Sequence, residues 1–510
     1  MKSYKLIFIL ALIVGLASCD SYLDNPLENR DPSSDTDYTN TNEMYSVYLG
    51  AYDAFYFLQW ETFPLLGVRG DDVNAAGDQF PLIETDEFRY DRSFWMYNST
   101  WLNLYGDVIS FHAAMEEIEK YKEFAPNPSE ADQYIAEIKV LRGFEMLQLA
   151  RLWGDLIIPT SSQTEELFDK PVEPRETVYQ HIVAQMDEAI PNLPSVNPSD
   201  RTDLPGGVTR YTALAVKAMA SLELKNYQAV ADATGEIISS GAFELESDYY
   251  NLFKIPGKLN RENLLELQYS DFGQGSGESE NYLYAFFGPQ GWTPAVEGAS
   301  AGWGFWEPSV KYVKFMLDRG EQLRLETSVL FTNRGIEEIK SDPAYANLPE
   351  WISNTTRDGD IINDYARAMF ASGKHYLPSN QLIPGRNSYG SNKNFIAIRY
   401  AEILLMHAEA LVSGGSSTAM TAAEAVNTVR ARAGLDDLGA VTLDEVLDEK
   451  YAELAMEWGI RFYDLVRHDR TSELNYGGRT YEEGSDRFLP YPLAQQDILP
   501  QLRDADNSGS

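Results

Sequence analysis

The sequence predicts a mostly α-helical protein in which two helical blocks flank a long irregular insertion. Three observations predict this class. Apolar residues recur at spacings of three and four before residue 244 and again after residue 395. Several of these stretches are rich in alanine, which lets paired helices approach closely. Between the blocks, residues 245–395 are rich in glycine, proline, asparagine and aromatic residues, and the helical periodicity fades.

The first block covers residues 44–244. Its predicted helices span 44–63, 101–121, 129–153, 176–193, 209–225 and 227–239. The break PNP at 126–128 separates the second helix from the third, and Pro194 ends the fourth. The last two helices carry seven alanines around a short turn at Lys225 and Asn226, a pattern that resembles a tetratricopeptide hairpin. A regular 34-residue period is absent.

The second block covers residues 396–510. One apolar face is formed by Ala401, Leu404, Leu405, Ala408 and Leu411. A second stripe at helical spacing is formed by Leu447, Tyr451, Leu454, Trp458, Phe462 and Leu465. We expect both sets to be core positions. The insertion between the blocks is predicted to consist of loops, short strands and a few helical turns, where binding residues concentrate.

The N-terminus has the features of an export signal. Lys2 and Lys5 precede twelve uncharged, mostly apolar residues at 6–17, a run too short to span a bilayer. The sequence LASC at 16–19 resembles a bacterial lipobox, which implies removal of residues 1–18 and lipid attachment to Cys19. Cys19 is the sole cysteine, so a free thiol or an intermolecular bridge after ordinary cleavage is the alternative. Residues 19–43 are polar and would form a tether.

The chain is strongly acidic, with a net charge of −37. Loss of residues 1–18, which contain two lysines and no acids, would leave 39 basic against 78 acidic side chains. Such a charge favours solubility and repels phosphate backbones and anionic headgroups. We therefore expect no nucleic-acid partner, and membrane attachment only through the lipid anchor.

Five segments in chain order resemble signatures of the SusD/RagB family, surface lipoproteins that capture glycans for uptake. They are CDSYLD at 19–24, the segment 141–159 that begins LRGF, RYAEILLM with AEA at 399–410, the segment 453–467 that begins ELAME, and LPYP with DI at 489–498. Trp458 interrupts the fourth signature, and Tyr491 departs from the fifth. Together the segments span almost the whole chain.

The resemblance implies a scaffold of four tetratricopeptide-type units, an irregular ligand-binding portion and a position on the outer membrane. It also implies a TonB-dependent, SusC-like outer-membrane transporter as partner, to which bound glycan is delivered. It supplies no substrate and no catalytic residue. Charged residues within the signature helices are expected to form partly buried pairs that fix helix packing: Arg142, Arg399, Glu402 and Arg461.

The insertion holds the first candidate ligand site. Ten of the 39 residues at 268–306 are aromatic, and no lysine or arginine occurs between Arg261 and Lys311. Aromatic faces without cations suit a neutral ligand with apolar C–H faces and many hydroxyls, such as a sugar ring. We expect two or three rings to contact ligand and the others to pack in the core of the insertion. The candidates are Tyr284, Trp292, Trp303 and Trp306.

A second candidate site lies near the N-terminus. It consists of Trp60, Asp71, Asp72, Trp95 and Asn98, in which carboxylates and an amide would bind sugar hydroxyls beside a tryptophan platform. Calcium is a further possibility at Asp71, Asp72, Asn74 and Asp78, although their spacing fits no EF-hand loop. Otherwise no cofactor is expected.

Enzyme motifs are not found in the sequence. The five histidines are scattered, and there is no HExxH, Walker loop or Gly-x-Ser-x-Gly elbow. A glycosidase carboxylate pair depends on the fold and is not excluded by the sequence. The leading hypothesis is a lipid-anchored glycan-binding protein. The alternatives are a tetratricopeptide-type surface adaptor without glycan binding, which would not need tryptophans in a cation-free loop, and a glycosidase.

Overall fold

The computed structural model describes residues 36–55, 62–270, 283–382 and 391–505. Within these ranges the chain is mostly helical and its strands are short, so the predicted fold class is confirmed. The signal sequence and Cys19 lie outside the described residues.

The first helical block begins at Met44, as the periodicity predicts. Its helices are α1 (Met44–Phe55), α2 (Thr62–Gly67), α3 (Phe80–Asp86), α4 (Trp95–Lys122), α5 (Pro128–Trp153), α6 (Arg175–Ala189), α7 (Arg210–Glu223) and α8 (Tyr227–Ser239). From α4 to α8, each helix packs on the next. Local sequence fixes the starts: Pro128 opens α5, and the Asn226 side chain caps α8 by accepting from Ala229 N at 3.2 Å.

The insertion contains short helices: α9 (Tyr249–Leu252), α10 (Leu283–Phe287), α11 (Val310–Asp318), α12 (Leu323–Ser328) and α13 (Asn333–Lys340). The strands are β1 (Val73–Ala75), β2 (Asn263–Leu267), β3 (Trp292–Thr293), β4 (Trp306–Pro308), β5 (Val329–Phe331), β6 (Ile361–Ile362), β7 (Phe370–Ser372) and β8 (Phe395–Arg399). They form antiparallel pairs, β1 with β4, β2 with β8, β3 with β6 and β5 with β7. The β1–β4 pair joins the insertion to the first block.

The second helical block continues the stack. Its helices are α14 (Tyr400–Val412), α15 (Ala422–Arg432), α16 (Leu443–Leu454), α17 (Ile460–Arg467), α18 (Glu483–Asp486), α19 (Leu493–Ile498) and α20 (Gln501–Ala505). Helix α14 packs on α8, and α15 and α16 pack on α14. The chain therefore leaves the helical scaffold after α8, forms the insertion, and returns to the scaffold after β8.

The second predicted stripe is not one helix. Its apolar residues are buried as expected, but the chain leaves the helix after Leu454 and re-enters it at Ile460. Met456, Trp458 and Gly459 have φ of 62°, 48° and 70°, which a continuous helix does not allow. The buried Trp458 ring donates from Nε1 to the carbonyl of Ile396 at 2.9 Å. This contact ties the connection to β8, and periodicity alone does not reveal it.

Two of the family-like signatures meet at Arg399. Its buried guanidinium contacts Glu262 at 2.9 Å, Glu457 at 2.7 Å and the Glu453 carboxylate. Burial alone would raise the pKa of Glu453, but the arginines around it hold that pKa well below its ordinary value. The network therefore joins two segments that resemble separate family signatures, 399–410 and 453–467, through one buried guanidinium.

The expected buried pairs are only partly found. Arg461 pairs with Asp71 at 2.7 Å, as the prediction requires. Arg142 instead contacts the His112 ring at 2.8 Å and the Gln185 side chain. Glu402 is buried, and burial raises its pKa to about 7. Burial does not therefore by itself imply an ion pair.

One large hydrophobic cluster includes residues of both helical blocks and of the insertion, among them Phe287, Phe305 and Trp306. A smaller cluster lies under β5, β6 and β7. None of the described helices is both long and apolar enough to cross a membrane.

Candidate functional site

Trp306, predicted as a ligand residue, belongs to the core. Its side chain is 0% exposed and its ring lies 4.9 Å from that of Phe63 and 4.8 Å from that of Phe287, measured between centroids. A Cβ added at Gly67 would come within 2.2 Å of the indole, which shows how closely the ring is covered. The prediction for Trp306 is wrong because strand β4 directs this side chain inward, beneath α2.

Trp303 lies only three residues earlier but faces outward, with 41% of its surface exposed. Its ring packs edge-on against Phe286 at 5.3 Å and tilted against Phe305 at 5.6 Å. Its backbone N–H donates to the Ala285 carbonyl at 2.7 Å. Trp303 is therefore a partly exposed ring that two other aromatic side chains support.

Four loop segments surround Trp303, and we call them together the Trp303 surface: residues 76–80, 288–293, 301–305 and 361–367. Backbone hydrogen bonds join them. Ala76 N donates to the Phe305 carbonyl at 2.7 Å, and Gly302 N donates to the Pro289 carbonyl at 3.0 Å. Asn363 N donates to the Gly291 carbonyl at 3.0 Å. The two candidate sites that the sequence predicts separately are therefore linked through segment 76–80.

Close backbone approach holds these segments together. Gly304 has φ of 63°, and a Cβ there would lie 2.9 Å from the hydroxyl of Tyr365. Gly77 has φ of 72°, and a Cβ there would lie 2.6 Å from the Phe305 ring. Both positions need glycine for conformation and for space.

Polar side chains lie beside the rings. Gln290, Asp364 and Arg367 are exposed, and Arg367 pairs with Asp78 at 3.4 Å. Asn363 Nδ2 donates to Thr293 Oγ1 at 3.1 Å. The surface thus offers donors and acceptors next to an aromatic face, which is the combination that binds sugar hydroxyls and C–H faces.

Trp292 is half-buried in β3 and lies edge-on to Tyr376 at 6.1 Å. It lies in segment 288–293 of the Trp303 surface and is partly exposed. The Tyr284 side chain and the whole of Trp60 lie outside the described residues, so both stay predictions.

Asp71 and Asp72, predicted to bind sugar hydroxyls, are buried and serve the scaffold. The Asp71 carboxylate pairs with Arg461 and Lys311. Burial would raise its pKa, but these two cations outweigh burial and lower it. Asp72 Oδ2 accepts from Met456 N at 2.6 Å, and burial raises the Asp72 pKa to about 6. Both predictions are wrong because the β1–β4 pair and the 455–459 connection cover these carboxylates.

Trp95 is the first residue of α4 and is 49% exposed. Beside it, Phe94 packs edge-on against Phe80, which is 59% exposed and ends segment 76–80. Asn98 is half-buried and its Oδ1 accepts from Gln495 Nε2 at 2.8 Å. Trp95 and Phe80 are therefore two further exposed rings, and Phe80 lies in segment 76–80, whereas the Asn98 amide is engaged with α19.

The side chains weighed as calcium ligands have separate partners. Asp71 faces Arg461, Asp72 faces Met456 N, Asn74 accepts from Tyr476 and Asp78 pairs with Arg367. In the part of the chain that the structure describes, no group of three or more His, Cys, Asp or Glu side chains could hold a metal ion.

A serine–histidine contact also occurs, between Ser372 Oγ and His375 Nδ1 at 2.7 Å. Both residues are buried, and the His375 ring packs against Phe63 and Trp306. Burial lowers the His375 pKa well below its ordinary value. A substrate cannot reach this pair, so it does not form a nucleophile site.

Sequence reasoning missed Phe80, Gln290, Asn363, Tyr365 and Arg367. The segment 361–367 has no aromatic cluster and no motif, and only its pairing through β3 and β6 brings it to Trp303. Phe80 begins a short helix and is followed by a proline. Neither feature of the sequence indicates a binding residue.

The fold and site define a helical-repeat protein with an inserted region of aromatic loops. Residues 261–497 match the model of the SusD family. SusD-like protein P2 of Formosa agariphila is 25% identical over 522 residues, which cover 96% of this chain and 97% of that protein. Residues 261–497 therefore resemble the SusD family, and the chain is similar to a SusD-like protein along nearly its whole length, which confirms the predicted resemblance.

Solved structures share the fold. A laminarin-binding SusD-like protein superposes with a TM-score of 0.74 at 22% identity, covering 90% of this chain and 97% of that one. Surface glycan-binding protein A from Bacteroides thetaiotaomicron, in complex with laminarihexaose, gives a TM-score of 0.72 at 22% identity, covering 90% and 98%.

Proposed function

We propose that the protein is a cell-surface glycan-binding protein that captures oligosaccharides on the Trp303 surface. The observation that carries this proposal is Trp303 itself, a large ring held 41% exposed by Phe286 and Phe305 and bordered by polar side chains. A ligand that covers the exposed part of this ring would remove apolar surface from water. A sugar ring can stack on it while Gln290 and Asn363 bind hydroxyls.

The ligand class is a neutral glycan. Segments 288–293 and 301–305 contain no cation, and the nearby Arg367 is paired with Asp78. The two structural neighbours named above bind laminarin and laminarihexaose, so glucose-based oligosaccharides are the first ligands to test. Binding would use stacking and hydrogen bonds, and no bond would be broken.

Capture is the first of two steps in this proposal. Lipid on Cys19 would hold the mature chain on the outer membrane, and the bound glycan would pass to a TonB-dependent transporter. Purification from native membranes in mild detergent should recover a large β-barrel protein in near-equal amount. Recovery of this protein alone across several detergents would contradict the delivery step.

A glycan array tests the binding function. The protein lacking residues 1–19 should bind at least one class of neutral oligosaccharide on the array. The array should include laminarin oligosaccharides. Absence of binding to every neutral glycan on the array would contradict the proposal and favour the adaptor alternative. Each oligosaccharide that binds should then be incubated with the protein and examined by chromatography. Its chain length should stay unchanged, whereas shorter products would indicate a glycosidase.

A further inference from the structure

Two neighbouring clefts lie on the helical scaffold, and neither is lined by a residue of the Trp303 surface. The smaller has a volume of about 330 Å³ and lies where α5, α7 and α17 end and α6 begins. The larger has a volume of about 550 Å³. They share Arg175, Arg487 and Phe488, which form the partition between them.

The smaller cleft, which we call the arginine cleft, is basic in an acidic protein. It is lined by three acidic side chains, Glu176, Glu223 and Asp469, and by five basic ones, Arg151, Arg175, Lys225, Arg467 and Arg487. The whole chain has a net charge of −37. A local excess of cations against that background is a focus for an anion.

The cations of the back wall are tied to the scaffold. Arg151 Nε pairs with Glu223 at 3.2 Å, and Arg467 approaches the same carboxylate at 3.7 Å. The Nη1 atom of the buried Arg151 has no hydrogen-bond partner within the described residues. Arg467 is also paired with the buried Glu409 at 2.9 Å and with Asp464, so its charge is balanced behind the wall. In the part of the chain that the structure describes, the wall therefore leaves one guanidinium donor unused, Arg151 Nη1, and the cations available to a ligand are those of the rim.

The cations of the rim are weakly engaged. Arg175 pairs with Glu176 at 3.2 Å and Arg487 with Glu483 at 3.3 Å, and both carboxylates are exposed. Lys225 is exposed and has no carboxylate partner in the described part of the chain. Exposed pairs contribute little to stability, so an incoming anion can replace them.

Phe488 provides an apolar wall between the two clefts. The guanidinium carbons of Arg175 and Arg487 lie 5.3 and 5.4 Å from its ring centroid. On the other side the ring covers Gly154, where a Cβ would lie 3.1 Å away and where φ is 76°. The ring is fixed by backbone contact and holds both arginines at the rim.

We propose that the arginine cleft binds a saccharide residue that carries a carboxylate or a sulfate group. Arg175, Lys225 and Arg487 would contact the anion, and Phe488 would contact the sugar ring. The volume of the arginine cleft lies in the range of roughly 300–1,000 Å³ that is typical of ligand pockets. The cleft is therefore larger than a bare anion requires. The adjoining larger cleft lets the chain continue past Phe488. The choice of a saccharide rests on the proposed function, whereas the choice of an anion rests on the charges.

Calorimetric titration of the protein lacking residues 1–19 tests this site. The probes are tetragalacturonate, a sulfated galactotetraose and neutral galactotetraose. We expect both acidic probes to bind more tightly than the neutral one, and added salt to weaken them. The double variant R175Q/R487Q should lower their affinity on the order of tenfold or more, because charge-assisted hydrogen bonds are lost. R357Q, which removes an exposed arginine paired with Asp248, is the matched control and should bind like wild type.

Thermal melts accompany each titration, and Lys225→Gln provides a second variant if the double variant loses stability. Failure of the wild type to bind either acidic probe at millimolar concentration would overturn the proposal. So would unchanged affinity in R175Q/R487Q, or tight binding of a polyglutamate peptide without binding of either saccharide. Trp303→Ala should bind the acidic probes as tightly as wild type does. A failure of anion binding at the arginine cleft can therefore be distinguished from a failure of neutral-glycan binding at Trp303.

Discussion

Trp303 and Trp306 are three residues apart but lie in different environments. Trp306 begins β4, whose pairing with β1 directs its indole under Gly67. Trp303 precedes that strand and lies on the loop, where its ring packs against Phe286 and Phe305 and stays 41% exposed. Residue type and aromatic density are the same at both positions, so only the pairing of distant strands separates a core residue from a ligand candidate.

Trp306→Ala should lower the free energy of unfolding by about 3–5 kcal/mol, because it leaves a large cavity in the core. Trp303→Ala should lower it by less than Trp306→Ala does, since 41% of the Trp303 surface is already exposed to water. Urea denaturation followed by circular dichroism measures both. Equal losses for the two variants would contradict the assignment.

Asp72→Asn should change the pH dependence of stability. Burial raises the pKa of Asp72 to about 6 from an ordinary value of 3.8. Between those values the folded protein holds a proton that the unfolded chain has released, so this carboxyl lowers stability as pH rises. The stability of the variant relative to wild type should therefore rise by up to about 3 kcal/mol between about pH 4 and pH 7.

Denaturant titrations at a series of pH values would measure this difference. A difference that stays constant across that range would show that Asp72 has an ordinary pKa. Glycan affinity should be the same in Asp72→Asn and wild type, since the carboxylate is buried away from the Trp303 surface.

At the level of elements, the connection between α16 and α17 depends on Gly459. Its φ is 70°, and a Cβ there would lie 2.1 Å from the Leu66 carbonyl oxygen. The connection thereby packs directly on the end of α2 and places Trp458 against β8. Glycine at 459 is needed for two reasons, conformation and close backbone approach.

Gly459→Ala should lower the free energy of unfolding by about 2–5 kcal/mol, the sum of left-handed strain and a clash with backbone. Gly434→Ala is the matched control, because Gly434 has φ of 76° with open space around it. It should cost about 1–2 kcal/mol. Similar losses in the two variants would mean that the contact with Leu66 contributes nothing.

For the whole molecule, the sequence predicts the helical blocks well and the site only in part. Helical periodicity and proline breaks are local signals, so α4 to α8 lie close to their predicted positions. Exposure of a side chain depends on which strands pair across hundreds of residues, and no local pattern encodes it. Asp71, Asp72 and Trp306 were misassigned for that reason, and segment 361–367 was missed for the same reason.

Membrane attachment is a property of the whole molecule that one substitution can test. Cys19→Ala should abolish lipid labelling and release the protein from the membrane, because Cys19 is the sole cysteine and the only lipobox-like acceptor. Fractionation in high salt from cells lacking the transporter measures this. Continued membrane association of the variant under those conditions would contradict the lipobox interpretation.

The most direct test of glycan capture is calorimetric titration of the strongest neutral ligand from the array into wild type and Trp303→Ala. Loss of one stacking ring is worth about 1–3 kcal/mol, by analogy with bases on aromatic side chains. Affinity should therefore fall roughly tenfold to hundredfold while the variant remains folded at the temperature of the titration. Phe168→Ala, which removes an aromatic ring 55% exposed outside the Trp303 surface, is the control and should bind like wild type. Wild-type affinity in Trp303→Ala would contradict the claim that this surface captures the glycan.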